Sequence, residues 1–284
     1  MRDPAVDQMI VSMSRLIENG DFLAEGIGTF MPNAAYLLAK RTHAPDCLTL
    51  CPNGNTLWTG QRALTLGRDE RATTHAAMLI DYVGINLMYM PMVFIGGRPR
   101  WTEFMRPAQI DPWGWTNNIC IGPYARPTMR LPGAAGIPDA SPVARRFNYY
   151  IPRHTPRVFV PHVDFVSGVG NPRHGKPNQP GGEPSGVVRT ITVVTNLCVM
   201  TTGDDGKLAV TSLHPGVDAA NVAAATGFPV PMPEQATISE PVTPREQDLL
   251  DHEIDPLGLR FLEGLTGVAR REQIARIAAM DART

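Results

Sequence analysis

The sequence predicts an α/β protein built on an open, mostly parallel sheet flanked by helices. Three observations carry that reading. Val6, Met9, Ile10, Met13, Leu16 and Ile17 recur at three- and four-residue spacing, an amphipathic helix stopped by Asn19-Gly20. Two short apolar runs, Phe22 to Ala24 and Leu48 to Cys51, then bracket a helical stretch from near Pro32 to near Lys40. That is a βαβ unit, whose strands run parallel and whose crossover is right-handed. Finally, 284 residues with 43% hydrophobic content are enough to bury a full core.

Composition excludes several classes of function. Charge is nearly balanced, 26 basic against 27 acidic residues without a block of like sign, which argues against nucleic acid or an anionic membrane as the main partner. The longest apolar region, Val83 to Ile95, is interrupted by Asn86 and Pro91 and is too short to span a bilayer. Asp3 and Asp7 stand where a signal peptide would need an apolar core, so the expectation is a soluble, cytoplasmic protein. Four cysteines, Cys47, Cys51, Cys120 and Cys198, read as reduced thiols. Cys47 and Cys51 would lie about 13 Å apart along a strand, too far to hold one ion, and no metal site is expected.

Further elements follow in order. Asp69 to Asn86 has a helical apolar side and Met92 to Ile95 reads as a strand. Phe147 to Ile151 and His162 to Val166 read as strands, as do Arg189 to Thr195, Leu197 to Met200 and Leu208 to Leu213, the last two joined by a hairpin at Asp204-Asp205-Gly206. Gly168 to Gly186 is a long Gly/Pro loop holding Arg173, His174 and Lys176, a lid or contact loop by composition. Asp218 starts an alanine-rich helix that stops at Gly227. Thr243, Pro244 and Glu246 form a capping-box start for a helix over Arg245 to Ile254. Residues 1–259 read as one domain and residues 260–284 as a C-terminal helical extension.

The chemistry centres on Arg41 to Gly54. A turn at Ala44-Pro45-Asp46 leads into the Leu48 to Cys51 strand, which Pro52-Asn53-Gly54 ends, and ligands of open α/β sheets collect at such strand ends. Cys51 is either a nucleophile or a buried structural thiol, and Asn53 either orients an acyl oxygen or serves as a turn residue. Gly26 and Gly28 between a strand and a helix suit an anion or acyl-CoA cradle, or a plain tight turn. Arg106 reads as a carboxylate or phosphate ligand, or as a solvated surface arginine. His154 reads as a proton carrier or as a hydrogen-bonded structural group, and Asp139 as a helix cap or a base.

Several ordered blocks resemble the B subunit of glutaconate CoA-transferase, a class I CoA-transferase. They are Gly28-Thr29 with Pro32, Lys40-Arg41 with Ala44 to Cys47 and Gly54, Ala108 to Asp111 with Asn117, Arg130 to Gly136, His154 with Arg157, His214 to Gly216, Thr226 to Phe228, and Glu253 to Pro256. The resemblance implies a CoA-transferase-like subunit fold, an acyl-CoA thioester as substrate, no bound cofactor, and an unlike alpha-type subunit as partner in a heterotetramer or larger assembly. In that family a glutamate after the strand attacks the thioester. Counted from Asp46 without gaps, its slot holds Pro52, which has no nucleophile with which to form a covalent intermediate. The expected reaction is therefore hydrolytic C–C cleavage or decarboxylation. The alternatives are genuine transfer on a carboxylate from the partner and a non-catalytic structural subunit.

By the same resemblance, Gly28, Gly54, Gln109, Asn117 and the loop Gly133, Ala134, Ala135 and Gly136 contact substrate, and Gly26 and Arg106 join them as substrate-binding candidates by their own chemistry. That loop offers backbone N–H groups beside the thioester. Phe30, Arg106-Pro107 and Ala135 stand where the family has glycines.

Overall fold

The computed structural model describes residues 3–26, 28–51, 56–58, 60, 62–66, 78–79, 101–142, 144, 146–172, 189–233 and 237–281. In chain order the elements are α1 (Pro4–Ser14), β1 (Phe22–Ala24), α2 (Phe30–Thr42), β2 (Leu48–Cys51), β3 (Thr56–Trp58), β4 (Met78–Leu79), β5 (Trp101–Thr102), β6 (Phe104–Met105), β7 (Gln109–Ile110), β8 (Thr116–Asn117), β9 (Cys120–Ile121), β10 (Met129–Arg130) and α3 (Ile137–Ala140). There follow β11 (Arg146–Ile151), β12 (Thr190–Thr195), β13 (Cys198–Thr202), β14 (Leu208–Leu213), α4 (Ala219–Ala225), β15 (Thr237–Ile238), α5 (Pro244–Asp248) and α6 (Gly267–Asp281). Between the last two helices lie a π-helical turn, Leu249–Ile254, and a 3-10 turn, Leu259–Glu263.

The chain forms two compact units, one of residues 1–104 and 241–284, the other of residues 105–240. In the first, the sheet order is β4-β3-β2-β1-β5. β1 runs parallel to β2 on one side and to β5 on the other, as the predicted βαβ unit requires. α1 starts on Asp3, whose side chain accepts from the Ala5 N–H at 3.0 Å, with Pro4 in its first turn. It is not the half-solvated helix that its spacing suggests. Asp7 on its polar side is 0% exposed, because the Arg260 guanidinium covers it at 2.7 Å. Asp251 and Asp255 ligate the same guanidinium, so the segment after residue 254 is stitched to the N-terminal helix through one buried cation. Arg41 pairs with Glu253, and Ile254 is 0% exposed, which gives the matched Glu253 to Pro256 block a structural role.

The second unit holds the sheet β15-β14-β13-β12-β11-β6, with β11 parallel to β12 and the hairpins β12-β13-β14 antiparallel. Gly206, at φ 77°, turns the hairpin at Asp204 to Gly206 as expected. The capping box at Thr243 and Glu246 is present, and α6 supplies the helix expected in the C-terminal tail.

Three expectations change. Of the helix predicted over Asp69 to Asn86, only residues 78–79 are described. They form β4 on the open edge of β3, a pairing that helical spacing does not reveal. His162 to Val166 is not a strand: Phe159 and Gly168 make only single bridges, and the segment between them folds over so that Asp164 reaches β7. Asp139 is not the cap of α3, which begins on Gly136. It is an exposed first-turn residue whose charge suits the helix N-terminus. The strand predicted at Met92 to Ile95 and the basic residues Arg173, His174 and Lys176 lie outside the described residues.

Candidate functional site

In the first unit, β2, β1 and β5 are parallel neighbours and therefore end at one edge of the sheet. The Glu25 N–H donates to the Leu50 carbonyl at 2.9 Å and carries the β1–β2 pairing one residue further. Cys51 closes β2. Asn53 and Gly54 lie outside the described residues.

The turn from β1 into α2 uses both glycines. A Cβ on Gly26 would sit 2.9 Å from Thr29 Cγ2, and Gly28 has φ +65°. The helix start that follows is mostly satisfied from within. Thr29 O accepts from the Asn33 N–H at 3.1 Å, Pro32 has no N–H, and the Met31 N–H donates to Glu263 Oε1 at 2.8 Å. Glu263, buried in the C-terminal segment, thus takes a place where a ligand anion was expected, and only the Phe30 N–H is left over in this first turn among the described residues.

In the second unit the structure draws Arg106, Gln109, Asn117 and the Gly133 to Gly136 loop together. The organiser is Asn118, a residue that sequence reasoning passed over. Its Oδ1 accepts from the Ala108 N–H at 2.6 Å, its Nδ2 donates to Arg106 O at 3.1 Å, and its carbonyl accepts from the Gly133 N–H at 3.1 Å.

Gln109 and Asn117 spend their amides internally. Asn117 Nδ2 donates to Gln109 Oε1 at 2.7 Å and to Cys120 O at 2.6 Å. Gln109 Nε2 donates to Asp164 Oδ2 at 3.1 Å, and that oxygen also accepts from the Gly122 N–H at 2.9 Å. With Asn117 0% exposed and Gln109 5% exposed, these two residues hold the β7-β8 hairpin and the loop beyond it. Asp164 was also missed, since nothing in its local sequence marks it.

The loop keeps a glycine-like backbone on an alanine. Ala135 has φ 47° and is the single non-glycine residue at positive φ among the described residues; Gly133 has φ 117°. A left-handed residue with a Cβ costs roughly 1–2 kcal/mol. The Ala135 and Gly136 N–H groups make no hydrogen bond among the described residues, and both residues are exposed. An exposed, strained turn with two uncommitted donors is suited to an oxyanion.

His154 is placed differently. Its Nδ1 lies 3.1 Å from Thr195 Oγ1 and its Nε2 2.9 Å from Thr226 Oγ1, while its ring stacks on Phe159 at 3.8 Å. Burial lowers its pKa to about 4. Cys198 Sγ, 3.8 Å from Nδ1, gives the outline of a Cys–His dyad. Burial pushes that thiol up to about 11, so both partners are neutral at pH 7 and no thiolate–imidazolium pair forms. His214, buried beside them with Nε2 2.8 Å from Thr195 O, completes a polar core knot. The expected proton-carrier role for His154 gives way to a structural one, because both ring nitrogens are occupied and the ring is 5% exposed.

The first unit thus offers an α/β sheet whose parallel strands end together, and the second a strained turn at Ala135. No protein-family model matches the chain. It is 30% identical over 268 residues to the B subunit of 3-oxoadipate CoA-transferase from Pseudomonas knackmussii, covering 94% of this chain and 96% of that protein. It is 31% identical over 239 residues to the cholesterol ring-cleaving hydrolase IpdB subunit of Mycobacterium tuberculosis, covering 83% of this chain and 88% of that protein. The crystal structure of the decarboxylase AibA/AibB shares its fold, with a TM-score of 0.75 at 23% identity over 91% of this chain and 98% of that one. The chain belongs to the family of CoA-transferase B subunits. No helix among the described residues is long and apolar enough to cross a membrane.

Proposed function

We propose that the chain is the B-type half of a two-subunit enzyme that acts on an acyl-CoA thioester by hydrolytic C–C cleavage or decarboxylation, without transferring CoA. The observation that carries this is Pro52, which stands where the family's attacking glutamate is expected and offers no nucleophile. Relatives with both outcomes share most of the chain's length, one a transferase subunit and one a hydrolase subunit, so fold alone does not choose between them. In this reading the thioester carbonyl meets the Ala135 and Gly136 N–H groups, which stabilise the enolate oxygen formed as a C–C bond breaks. Arg106 supplies positive charge for a substrate carboxylate or a CoA phosphate. CoA enters as part of the substrate, and no further cofactor takes part. An unlike alpha-type subunit completes the site, and the pair assembles into a heterotetramer or larger particle in the cytoplasm.

The test is turnover by the co-expressed pair on a panel of 3-oxoacyl-CoA and 2-enedioyl-CoA esters, with and without a free acceptor acid. Product release that needs no acceptor supports the proposal. Ping-pong exchange of CoA between ester and acid supports the second reading, transfer on a carboxylate of the partner, which the 30% identity to a transferase subunit favours.

A further inference from the structure

The carboxyl edge of the first sheet carries a carboxylate that neither the motif blocks nor the glutamate slot accounts for. The chain runs from β1 to β2 on one side and later returns to place β5 on the other, so the strand order reverses between β1 and β5. In open α/β sheets that reversal opens a crevice at the carboxyl ends of the strands. Glu103 is the first residue after β5. Its main chain stands two strand spacings, about 10 Å, along the edge from the end of β2, where the family's glutamate would follow.

The two glutamates at this edge are not alike. Glu25, after β1, is 2% exposed. Glu103 is partly exposed. One oxygen, Oε2, accepts from the Trp101 indole N–H at 3.2 Å, and the other makes no hydrogen bond among the described residues. Trp101 is itself fixed by stacking on Phe22, with ring centroids 6.4 Å apart and planes at 10°. Across the pair, Tyr36 of α2 accepts from the Phe104 N–H at 3.1 Å. Burial, then the charge of Glu103 and more weakly that of Glu25, hold the Tyr36 phenol well above its ordinary pKa. Asp21, before β1, accepts from Thr102 Oγ1 at 3.0 Å. Glu103 therefore has the Trp101 indole on one oxygen and the Tyr36 phenol nearby. Burial raises its own pKa to about 7, against the lowering pull of the Trp101 N–H. A carboxyl group with a pKa near neutral can both take and give a proton at the pH of turnover.

We propose that Glu103, at the carboxyl edge of the first unit's sheet, is a catalytic residue, the acid–base group for C–C cleavage of a 3-oxoacyl thioester, an inference that rests on the function proposed above. The Glu103 carboxylate takes a proton from water as the hydroxide adds to the 3-oxo carbon. The C2–C3 bond breaks, its electron pair passes into the thioester as an enolate, and C3 leaves as a carboxylic acid. Glu103 then returns its proton to C2, giving the shortened acyl-CoA and restoring the carboxylate. One water is consumed, and no oxidant or second nucleophile is needed. Trp101 is a positioning residue, holding Oε2 so that Oε1 faces the reactants.

The experiment compares the assembled two-subunit wild-type enzyme with E103Q, E103D and W101F, using acetoacetyl-CoA as the probe for cleavage and acetyl-CoA in deuterium oxide as the probe for proton exchange at C2. E103Q is expected to lower kcat by about 10²- to 10⁴-fold with KM little changed, to abolish the ionisation near pH 7 from the rate profile, and to abolish exchange. E103D, which keeps the acid on a shorter arm, retains partial activity. W101F loses the N–H that holds the pKa down, so its ionisation moves to higher pH. E103Q isolated as a folded pair with wild-type kcat and exchange would overturn the assignment while leaving the proposed function standing. Wild-type enzyme that only exchanges CoA with free acids would overturn both.

Discussion

The His154 knot of the second unit and the Glu103 edge of the first are both places where burial shifts a titratable side chain, and the outcomes are opposite. Burial disfavours charge, so it moves a base down and an acid up. His154 is lowered to about 4 and stays neutral across the physiological range, whereas Glu103 is raised to about 7, into the range where it titrates near neutral pH. Position adds to this. His154 has threonine hydroxyls at both ring nitrogens and a phenyl ring on its face, while Glu103, at the end of a strand, has one oxygen without a hydrogen bond among the described residues. The lesson is that the residue type most often named as a proton carrier is here a core group, and a glutamate outside every recognised motif has the properties of the carrier.

The Arg260 cluster sharpens the contrast most strongly, because there burial pushes the Asp255 carboxyl up against the opposing pull of the Arg260 guanidinium, and Asp7 and Asp255 raise Arg260 in turn. Asp7 and Asp255 are 0% and 1% exposed and face the same guanidinium. Arg260→Met strands those carboxylates without a counter-charge and is expected to cost about 3–5 kcal/mol in urea unfolding. A loss near zero would mean that the cluster does not tie α1 to the C-terminal segment.

His154 comes next. Its folded pKa lies below its unfolded value, so between about 6.5 and about 4 the unfolded chain binds the extra proton and stability falls as pH is lowered. The full fall is about 3 kcal/mol from this group, and His214, also lowered by burial, acts in the same direction. Unfolding midpoints of wild type and H154Q through that window measure it. The variant should lose the part of the acid slope that belongs to residue 154, and an unchanged slope would contradict the desolvated, neutral ring.

The smallest effect concerns Ala135. Glycine at φ 47° removes the Cβ strain, so A135G should stabilise the fold by roughly 1 kcal/mol, the difference between a left-handed alanine and a left-handed glycine. Destabilisation would show that the Cβ contributes packing and that the turn is relaxed.

Much of the scaffold was legible from sequence because its signals are local. The βαβ unit follows from two apolar runs around a helical stretch, and the capping box from Thr243 and Glu246, residues three apart that bond each other. What escaped depended on distant partners. Asp7 reads as a solvent-facing residue until Arg260, 253 positions away, closes on it. Gln109 and Asn117 read as substrate ligands until Asp164 is seen to bind the first and Cys120 the second. Glu103 escaped because its character comes from burial and from the strand order around it, and the Trp101 bond two residues away has no meaning until both side chains are seen on one face of the strand end. The glycine turn read as an anion cradle because Glu263, which answers the Met31 N–H, lies far along the chain.

The central claim is that turnover proceeds without a covalent carboxyl intermediate on this chain. Incubating the assembled enzyme with acyl-CoA, trapping with borohydride or hydroxylamine, and weighing the intact chain by mass spectrometry tests it most directly. The account predicts an unchanged mass during sustained turnover; a glutamyl adduct on this chain that forms only when acyl-CoA is present would contradict it.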